Sequence, residues 1–416
     1  MNKQPTNAKP RRVFAHVNLL GTTQLHHRNP YVVAFWSAMF PGFGHLLLSK
    51  YLRAYILFLW EIIINLRAHV NLALLHTILG EFDAAKHVID IRWSLLYIPT
   101  FIFSVWDSYR SAVDLNQQYI LAARENAPIE PFSIGPFGIS YIDKRSPYVA
   151  SAWCTLTPGL GHIMLQRIHH GVFVLFWWIL VVYFSNILTA LHLTFYGAFA
   201  SARDALNPQW FLNIPSLFFF CVYITYVNSV ESNKLFDAEQ SQFLQKNYQS
   251  AGFPFPGGTE IRGAGMFVVS VFQQSIQVEL AVTALEQEGV AKSEILAVPV
   301  QKEQPGKGLF DSMHSASGES VLDLPMILGA LATLFGCIYG FRLAWGPVLW
   351  GIIAAVLGFG VGFVLKLLFL KKKKASSHQS EVVIFVKCDG GKLERIERLL
   401  HDNGAQGVSF VAPSPS

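Results

Sequence analysis

Charge is scarce in this sequence. Only 14% of its 416 residues are Asp, Glu, Lys or Arg, while 52% are hydrophobic and 33 are Phe. A soluble domain carries roughly 25% charged residues. So apolar a chain cannot keep a whole surface wet, which excludes an ordinary soluble globular protein and predicts that most of it sits in lipid. Cysteine is scarce too. Cys154, Cys221, Cys337 and Cys388 stand singly, with no C-x-x-C pair, which argues against a disulfide scaffold or a zinc knuckle. No apolar run follows Met1 directly, so a cleavable signal peptide is not expected. The sequence also lacks G-x-S-x-G, H-E-x-x-H, a P-loop and a paired-carboxylate constellation. A non-enzyme is expected, with no cofactor and no metal. The net charge of +5 is carried largely by short polar segments. In a membrane protein such an excess marks the cytoplasmic side and calls for no nucleic acid.

What the chain does have is a repeated turn. Pro41, Gly42, Gly44 and His45 recur as Pro158, Gly159, Gly161 and His162, and Pro30, Tyr31, Val32 and Trp60 recur as Pro147, Tyr148, Val149 and Trp177. All eight matches share one separation of 117 residues. A second set, from His76/His192 to Pro99/Pro215, lies at a separation of 116. A tandem duplication over about the first 240 residues is expected.

In order, residues 1–29 read as a basic cytoplasmic arm, 30–112 as membrane repeat 1, 113–146 as a linker, 147–235 as membrane repeat 2 and 236–265 as a second linker. Pro-Gly breaks the apolar segment 31–49 at its centre, where a helix tolerates it poorly. The segment either crosses the bilayer kinked, giving inverted three-span repeats, or dips in and returns, giving parallel two-span repeats. The distribution of Lys and Arg favours the re-entrant, parallel arrangement.

After residue 265 the texture changes. Met266–Phe272 and Glu294–Val300 read as strands around a helix at 275–289, and Glu381–Lys387 and Gly407–Val411 as strands around a helix at 391–402. That order, β-α-β then β-α-β over 266–300 and 371–416, is that of a split ferredoxin-like fold. A transmembrane hairpin at 325–370 interrupts it. Gly336, Gly340, Gly358 and Gly362 at four-residue spacing read as helix-packing positions. Lys371–Lys374 mark its end as cytoplasmic. The expected fold is therefore a mainly α-helical polytopic membrane protein, with a duplicated helical module followed by a ferredoxin-like α+β domain split by a helical hairpin. Both termini are expected in the cytoplasm.

Pro-Gly-x-Gly-His, a basic turn, a span and then Trp106-Asp107-x-Tyr109-Arg110 resemble small bacterial membrane modules with a Pro-Gly-x-Gly-Gln-type turn and a later Trp-Asp signature. The likeness covers about 31–112 and, without the Trp-Asp pair, 148–235. His stands where Gln is more familiar. The C-terminal pattern is similar to the ferredoxin-like domains of bacterial general-stress proteins. These resemblances imply a bacterial cell membrane location and an architecture, and no reaction.

His45, His162 and Glu61 are the candidate polar intramembrane site. The two histidines read either as a proton-responsive or metal-ligating pair or, more economically, as caps for carbonyls freed by Pro-Gly. Glu61 lies inside an apolar span, where a carboxylate is costly and often functional. The matching residue 117 positions on is Trp178, which argues against a symmetric transport site. Trp106, Asp107 and Arg110 read as an interface group, with Asp107 and Arg110 as a snorkelling pair. His26, His27, His169 and His170 read as solvated interface residues.

The function expected is that of a sensor, adaptor or structural protein. Its partners would be the bilayer and, through the C-terminal domain, a second copy or another protein. The alternative is a transporter or channel built on the repeat.

Overall fold

The computed structural model describes residues 10–136, 138–250, 253, 266–305, 320–370, 376–388 and 390–411. Residues 15–29 are no arm. β1 (Ala15–Asn18) and β2 (Gly21–Gln24) form an antiparallel hairpin, and β1 also pairs in parallel with β3 (Ile129–Glu130). Ala15 and Val17 are buried, so the hairpin has the alternating in-and-out pattern of a strand. Residues 1–9 of the expected arm lie outside the described residues.

Helices α1 (Pro30–Met39), α2 (Phe43–Leu47), α3 (Tyr51–Ala68), α4 (Val70–Ile78), α5 (Phe82–Val88) and α6 (Ile91–Arg124) follow. Pro30 opens α1 at the position where a missing N–H costs nothing, and Asn29 caps Tyr31 N–H. The chain breaks at Phe40–Gly42. Ten residues rise about 15 Å, half of the roughly 30 Å hydrocarbon thickness, so α1 alone is too short to cross. The stretch expected to be a linker from residue 113 is still helix to Arg124, and β3, β4 (Phe132–Gly135) and β5 (Gly138–Tyr141) follow it.

The next helices are α7 (Pro147–Leu156), α8 (Leu160–Met164), α9 (Ile168–Ser185), α10 (Ile187–Phe195), α11 (Phe199–Ala205), α12 (Pro208–Phe211) and α13 (Ile214–Tyr248). α13 runs well into the segment expected to be the second linker. The sequence match of His76 with His192 is one residue out of step with the backbone: His76 is the seventh residue of α4 and His192 the sixth of α10.

Then come β6 (Met266–Gln273), α14 (Ile276–Gln287), β7 (Ile295–Pro305), α15 (Asp323–Gly340), α16 (Gly346–Leu370), β8 (Ser376–Cys388), α17 (Leu393–Asp402) and β9 (Gly407–Val411). Lys371–Lys374 lie outside the described residues.

By length and hydropathy α9, α12–α13, α15 and α16 can each cross a membrane. The pairs α3–α4 and α5–α6, bent by 63° and 95°, raise the number to six. The chain is a mainly helical, multi-pass membrane protein.

It divides into two compact units. In the first, α3 and α9 lie side by side and point the same way. Tyr51 meets His169 at 4.3 Å between ring centroids, Tyr55 meets Phe173 at 4.2 Å and Phe58 meets Trp177 at 5.1 Å. In its core Phe43 stacks on Phe220 at 4.0 Å, and Trp36 meets Phe220 edge-on at 5.3 Å. The hairpin α15–α16 belongs to this unit. Gly336 faces Ala354, Gly340 faces Pro347, Gly358 faces Ala332 and Gly362 faces Pro325, each so closely that a methyl group would overlap the opposite helix. Such close approach is the usual way small residues hold helices together in lipid.

The second unit takes in Ile142–Lys144, α13 from Ser232 and the strands β6–β9 with their helices. Its sheet has the order β7-β8-β6-β9, antiparallel throughout. Val268, Phe272, Val382, Ile384 and Val386 pack from one face against Val282 and Leu285 of α14 and Ile396 and Leu400 of α17.

Candidate functional site

The Pro-Gly turn builds the first site. Gly42 has φ +100°, a left-handed value that favours glycine, and an added methyl group would lie 2.7 Å from Ala54 O. At Gly44 a methyl group would overlap Ser37 and Val33 O. These two glycines let α2 sink between α1, α3 and α6. His45 is thereby carried to a fully buried position, and its Nε2 lies 2.8 Å from Asp107 Oδ2 on α6. Arg53 Nη1 donates to the same oxygen at 2.7 Å. Lys50 Nζ, beside them, donates to Ser111 Oγ at 2.7 Å.

His45 is therefore not a cap for freed carbonyls. The broken backbone finds other partners: Phe40 N–H donates to Trp36 O, Gly42 N–H to Ser104 Oγ, and His26 Nε2 reaches Leu47 O at 2.9 Å. Asp107 selects the tautomer with hydrogen on Nε2. The buried Nδ1, which has no hydrogen-bond partner, is then a lone pair and less costly than an orphaned N–H. Asp107 and Arg110 are not a pair either. Asp107 joins Arg53 and His45, while Arg110 lies over the Trp106 ring at 5.7 Å.

The second site keeps the turn and loses the charges. Gly159 has φ +107°, and methyl groups at Gly159 and Gly161 would overlap Gly171 O and Ala150 O. His162 is fully buried. Its Nδ1 lies 3.1 Å from Thr225 Oγ1, whose own hydrogen goes to Cys221 O at 2.7 Å. Thr225 therefore accepts from His162. Residues 117 positions after Arg53 and Asp107 are His170 and Ile224. The His170 ring lies 4.3 Å from His162, with both ring nitrogens buried and unpartnered. Where the first turn has an ion pair, the positions 117 residues later hold an imidazole and a hydrocarbon.

Glu61 belongs to neither. Asn65 Nδ2 donates to Glu61 Oε1 at 3.0 Å and to Asn71 Oδ1 at 3.2 Å. Gln209 Nε2 donates to Asn65 Oδ1 at 2.6 Å, and Gln209 Oε1 accepts from Leu72 N–H at 3.0 Å. This amide network joins α3 and α4 to α12. His45, His162 and Glu61 thus head three separate sets of partners.

A fourth group lies apart from the sequence-predicted residues. Arg28, Arg167, Glu231 and Asp323 are all buried. Arg28 interacts electrostatically with Glu231, Tyr223, Arg167 and Asp323. Tyr223 O–H donates to Asp323 Oδ1 at 2.7 Å, and Ser320 N–H donates to Asp323 Oδ2 at 2.8 Å. This end of α15 is thus tied to α13 and to the segment before α1. At its other end Arg203 Nη1 donates to Phe341 O at 3.3 Å, and Arg342 pairs with Glu81, which also meets His76 at 2.7 Å. His26, expected in solvent, is buried near Arg28, and the two together hold its pKa down at about 3, burial being the larger cause. His170 was also expected in solvent and is buried. Charged residues in short polar stretches carry no sign of burial in sequence. A signal existed only for Asn65, Asn71 and Gln209, amides set in apolar runs.

Among the described residues, no group of three or more His, Cys, Asp or Glu side chains is placed to hold a metal ion. All four cysteines are buried and none forms a disulfide. Comparison with protein-family models, with curated proteins and with solved structures finds no match to this chain.

Proposed function

We propose that this protein is a membrane sensor or adaptor, and not an enzyme, in which a helical hairpin reports to a sheet domain that binds a partner or a second copy. The observation that carries this reading is where the hairpin is inserted. β7 and β8 are neighbouring strands, paired from Ile295↔Val386 to Pro305↔Ser376. The chain leaves the sheet at the end of β7, forms α15 and α16, and returns at the start of β8. A shift of one hairpin helix against the other pulls on one side of a paired ladder.

The second unit is read as ferredoxin-like. In sequence order its strands are β6, β7, β8 and β9, and the sheet order β7-β8-β6-β9 with both helices on one face is the arrangement of that fold. The first unit is read as a parallel duplication. From α1/α7 to α5/α11 the element bounds repeat at a separation of 117 residues, as do the left-handed positions Ser49/Gln166, His69/Asn186 and Gly80/Gly197. The common direction of α3 and α9 supports the parallel arrangement. The end that holds Lys50, Arg53, Arg110 and Arg167 is read as cytoplasmic, in a bacterial cell membrane as the resemblance implies.

Hydrogen exchange on the full chain in detergent micelles tests the coupling. A Gly358→Leu change forces α15 and α16 apart. Faster exchange in β7 and β8, with β6–β9 pairing unchanged, is expected. Identical exchange in all four strands would sink the reading, and proton or ion flux through proteoliposomes abolished by His45→Ala and Glu61→Gln would favour a transporter instead.

A further inference from the structure

The sensor reading makes no use of the segment between α6 and α7, and the hairpin there has its faces the wrong way round for water. β4 and β5 pair Phe132↔Tyr141, Ser133↔Ser140 and Ile134↔Ile139. Side chains alternate along a strand, so Phe132, Ile134, Ile139 and Tyr141 share one face and Ser133 and Ser140 the other. A hairpin lying on a soluble core turns its large apolar side chains inward. Here Ser140 is buried, and the four large side chains are exposed, from 40% at Tyr141 to 71% at Ile134. The Phe132 and Tyr141 rings lie side by side, 6.5 Å between centroids. Small polar residues inward and large apolar ones outward is the pattern of strands that face lipid. An exposed apolar patch of this kind marks an interaction surface.

What covers the patch follows from where the hairpin is tied down. Its open end is fixed by Tyr141 N–H, which donates to Gln166 Oε1 at 3.0 Å. Two residues after Gln166, at Ile168, α9 begins, and α9 is long and apolar enough to cross a membrane unaided. The first turn of α9 therefore marks one surface of the bilayer. The tip of the hairpin is fixed at the same level. Gly135 packs on Leu19 so closely that a methyl group would overlap it. The next residue, Leu20, has its carbonyl oxygen 2.8 Å from His169 Nδ1 and 3.4 Å from His169 N. A hairpin pinned at both ends to the start of one span lies along the membrane surface and does not stand away from it. Leu20 is itself exposed. We propose that the apolar face of β4–β5, together with Leu20, rests in the interfacial layer of the leaflet where α9 begins, so that the partner of this surface is the lipid itself. Apolar side chains gain by leaving water for that layer, and aromatic rings are favoured there. The hairpin is then an anchor that holds the connection from α6 to α7 against the bilayer.

Nitroxide labels on the full chain, in proteoliposomes of phosphatidylethanolamine and phosphatidylglycerol, test this. The four native cysteines are buried, so the label goes to an added one. Ile134→Cys and Ile139→Cys report the apolar face, and Glu394→Cys, at an exposed position of α17, reports water. Oxygen concentrates in lipid and a nickel chelate stays in water. The ratio of oxygen to nickel collisions is expected to be at least threefold higher at 134 and 139 than at 394. A ratio at 134 and 139 equal to that at 394 places the face in water and overturns the proposal. Labels shielded from both reagents are covered by protein, such as a second copy of the chain, and that overturns it as well. A second measurement needs no variant. A phospholipid with a diazirine in its acyl chain is photolysed with the unmodified chain, and peptides covering 132–141 are expected to be labelled alongside those of α9. Labelling of α9 with none over 132–141 overturns the proposal.

Discussion

His45 Nε2 and Asp107 Oδ2 are 2.8 Å apart, and at the corresponding positions 117 residues later stand His162 and Ile224. The residue 117 positions after Arg53 is His170, a buried imidazole. A carboxylate at 224 would be buried without Arg53's counterpart, and burying an unpaired charge is costly. Asp107 with Arg53, and Ile224 with His170, are therefore each a consistent set. Asp107→Ile alone leaves the buried His45 N–H unsatisfied, and a loss of about 1–3 kcal/mol is expected. Arg53 is 50% exposed in its side chain, so Arg53→His alone is expected to cost about 0.2–1 kcal/mol. The double variant is expected to be more stable than the sum of the two predicts. A double-mutant cycle on thermal unfolding in detergent reads the coupling, and strict additivity would show that the two positions do not sense each other.

Gly42 and Gly159 are expected to be the least replaceable glycines in the first unit. Each combines a left-handed φ with backbone atoms of the next helix within 2.7 Å of an added methyl group. Gly80 has φ +78° and open space around it. Gly80→Ala should therefore cost only the backbone strain, about 1–2 kcal/mol. Gly42→Ala and Gly159→Ala should cost visibly more, seen as lost yield and a lower unfolding temperature. Equal effects at all three positions would mean that α3 and α9 can move aside freely.

His26 makes stability depend on pH. Its ordinary value of 6.5 is lowered to about 3, first by burial and then by Arg28. A base with a lowered folded value binds its proton more readily when unfolded. The stability it confers is complete above pH 6.5 and is lost as pH falls from there towards 3. The unfolding midpoint in detergent should drop over that window. His26→Gln keeps a donor for Leu47 O and removes the titration. A variant profile parallel to that of the parent chain would assign the drop to other groups.

Gln209 is expected to matter more than Glu61. Gln209→Leu strands the Leu72 N–H, at about 1–3 kcal/mol for the group left unpaired, and removes the donor shared by Asn65 O and Oδ1, of which Oδ1 keeps only the Asn71 N–H. Glu61→Gln keeps an oxygen to accept from Asn65 Nδ2 and should change stability by less than about 1 kcal/mol. Denaturant titration followed by Trp fluorescence ranks them. A larger loss for Glu61→Gln would mean that the carboxylate charge itself holds α3.

Much of the architecture is legible in the sequence because it rests on local chemistry. Pro-Gly at a fixed distance from an apolar run stops a helix wherever it occurs, so the breaks at 40–42 and 157–159 could be read directly. Strand and helix periods in 266–300 and 381–411 were equally local. What escaped depends on distant partners. Asp107 was singled out, but 62 positions separate it from His45, and Arg110 was the nearer cation in sequence. The β1–β2 hairpin was hidden because its outward residues are polar and its neighbours Arg11, Arg12 and Arg28 make the stretch look solvated. The polar ends of α6 and α13 look like linkers in the sequence because apolar content marks where lipid ends and not where a helix ends.

The insertion between β7 and β8 also orders events during synthesis. β8 is the strand that joins β6 to β7, and residues 306–375 separate it from β7. At about 5–20 residues per second, those 70 residues take on the order of ten seconds to emerge. For that time β6 and β7 exist without the strand that belongs between them, while α15 and α16 are already entering the bilayer. The sheet can close only after the hairpin has been made, so assembly of the second unit waits on synthesis of part of the first.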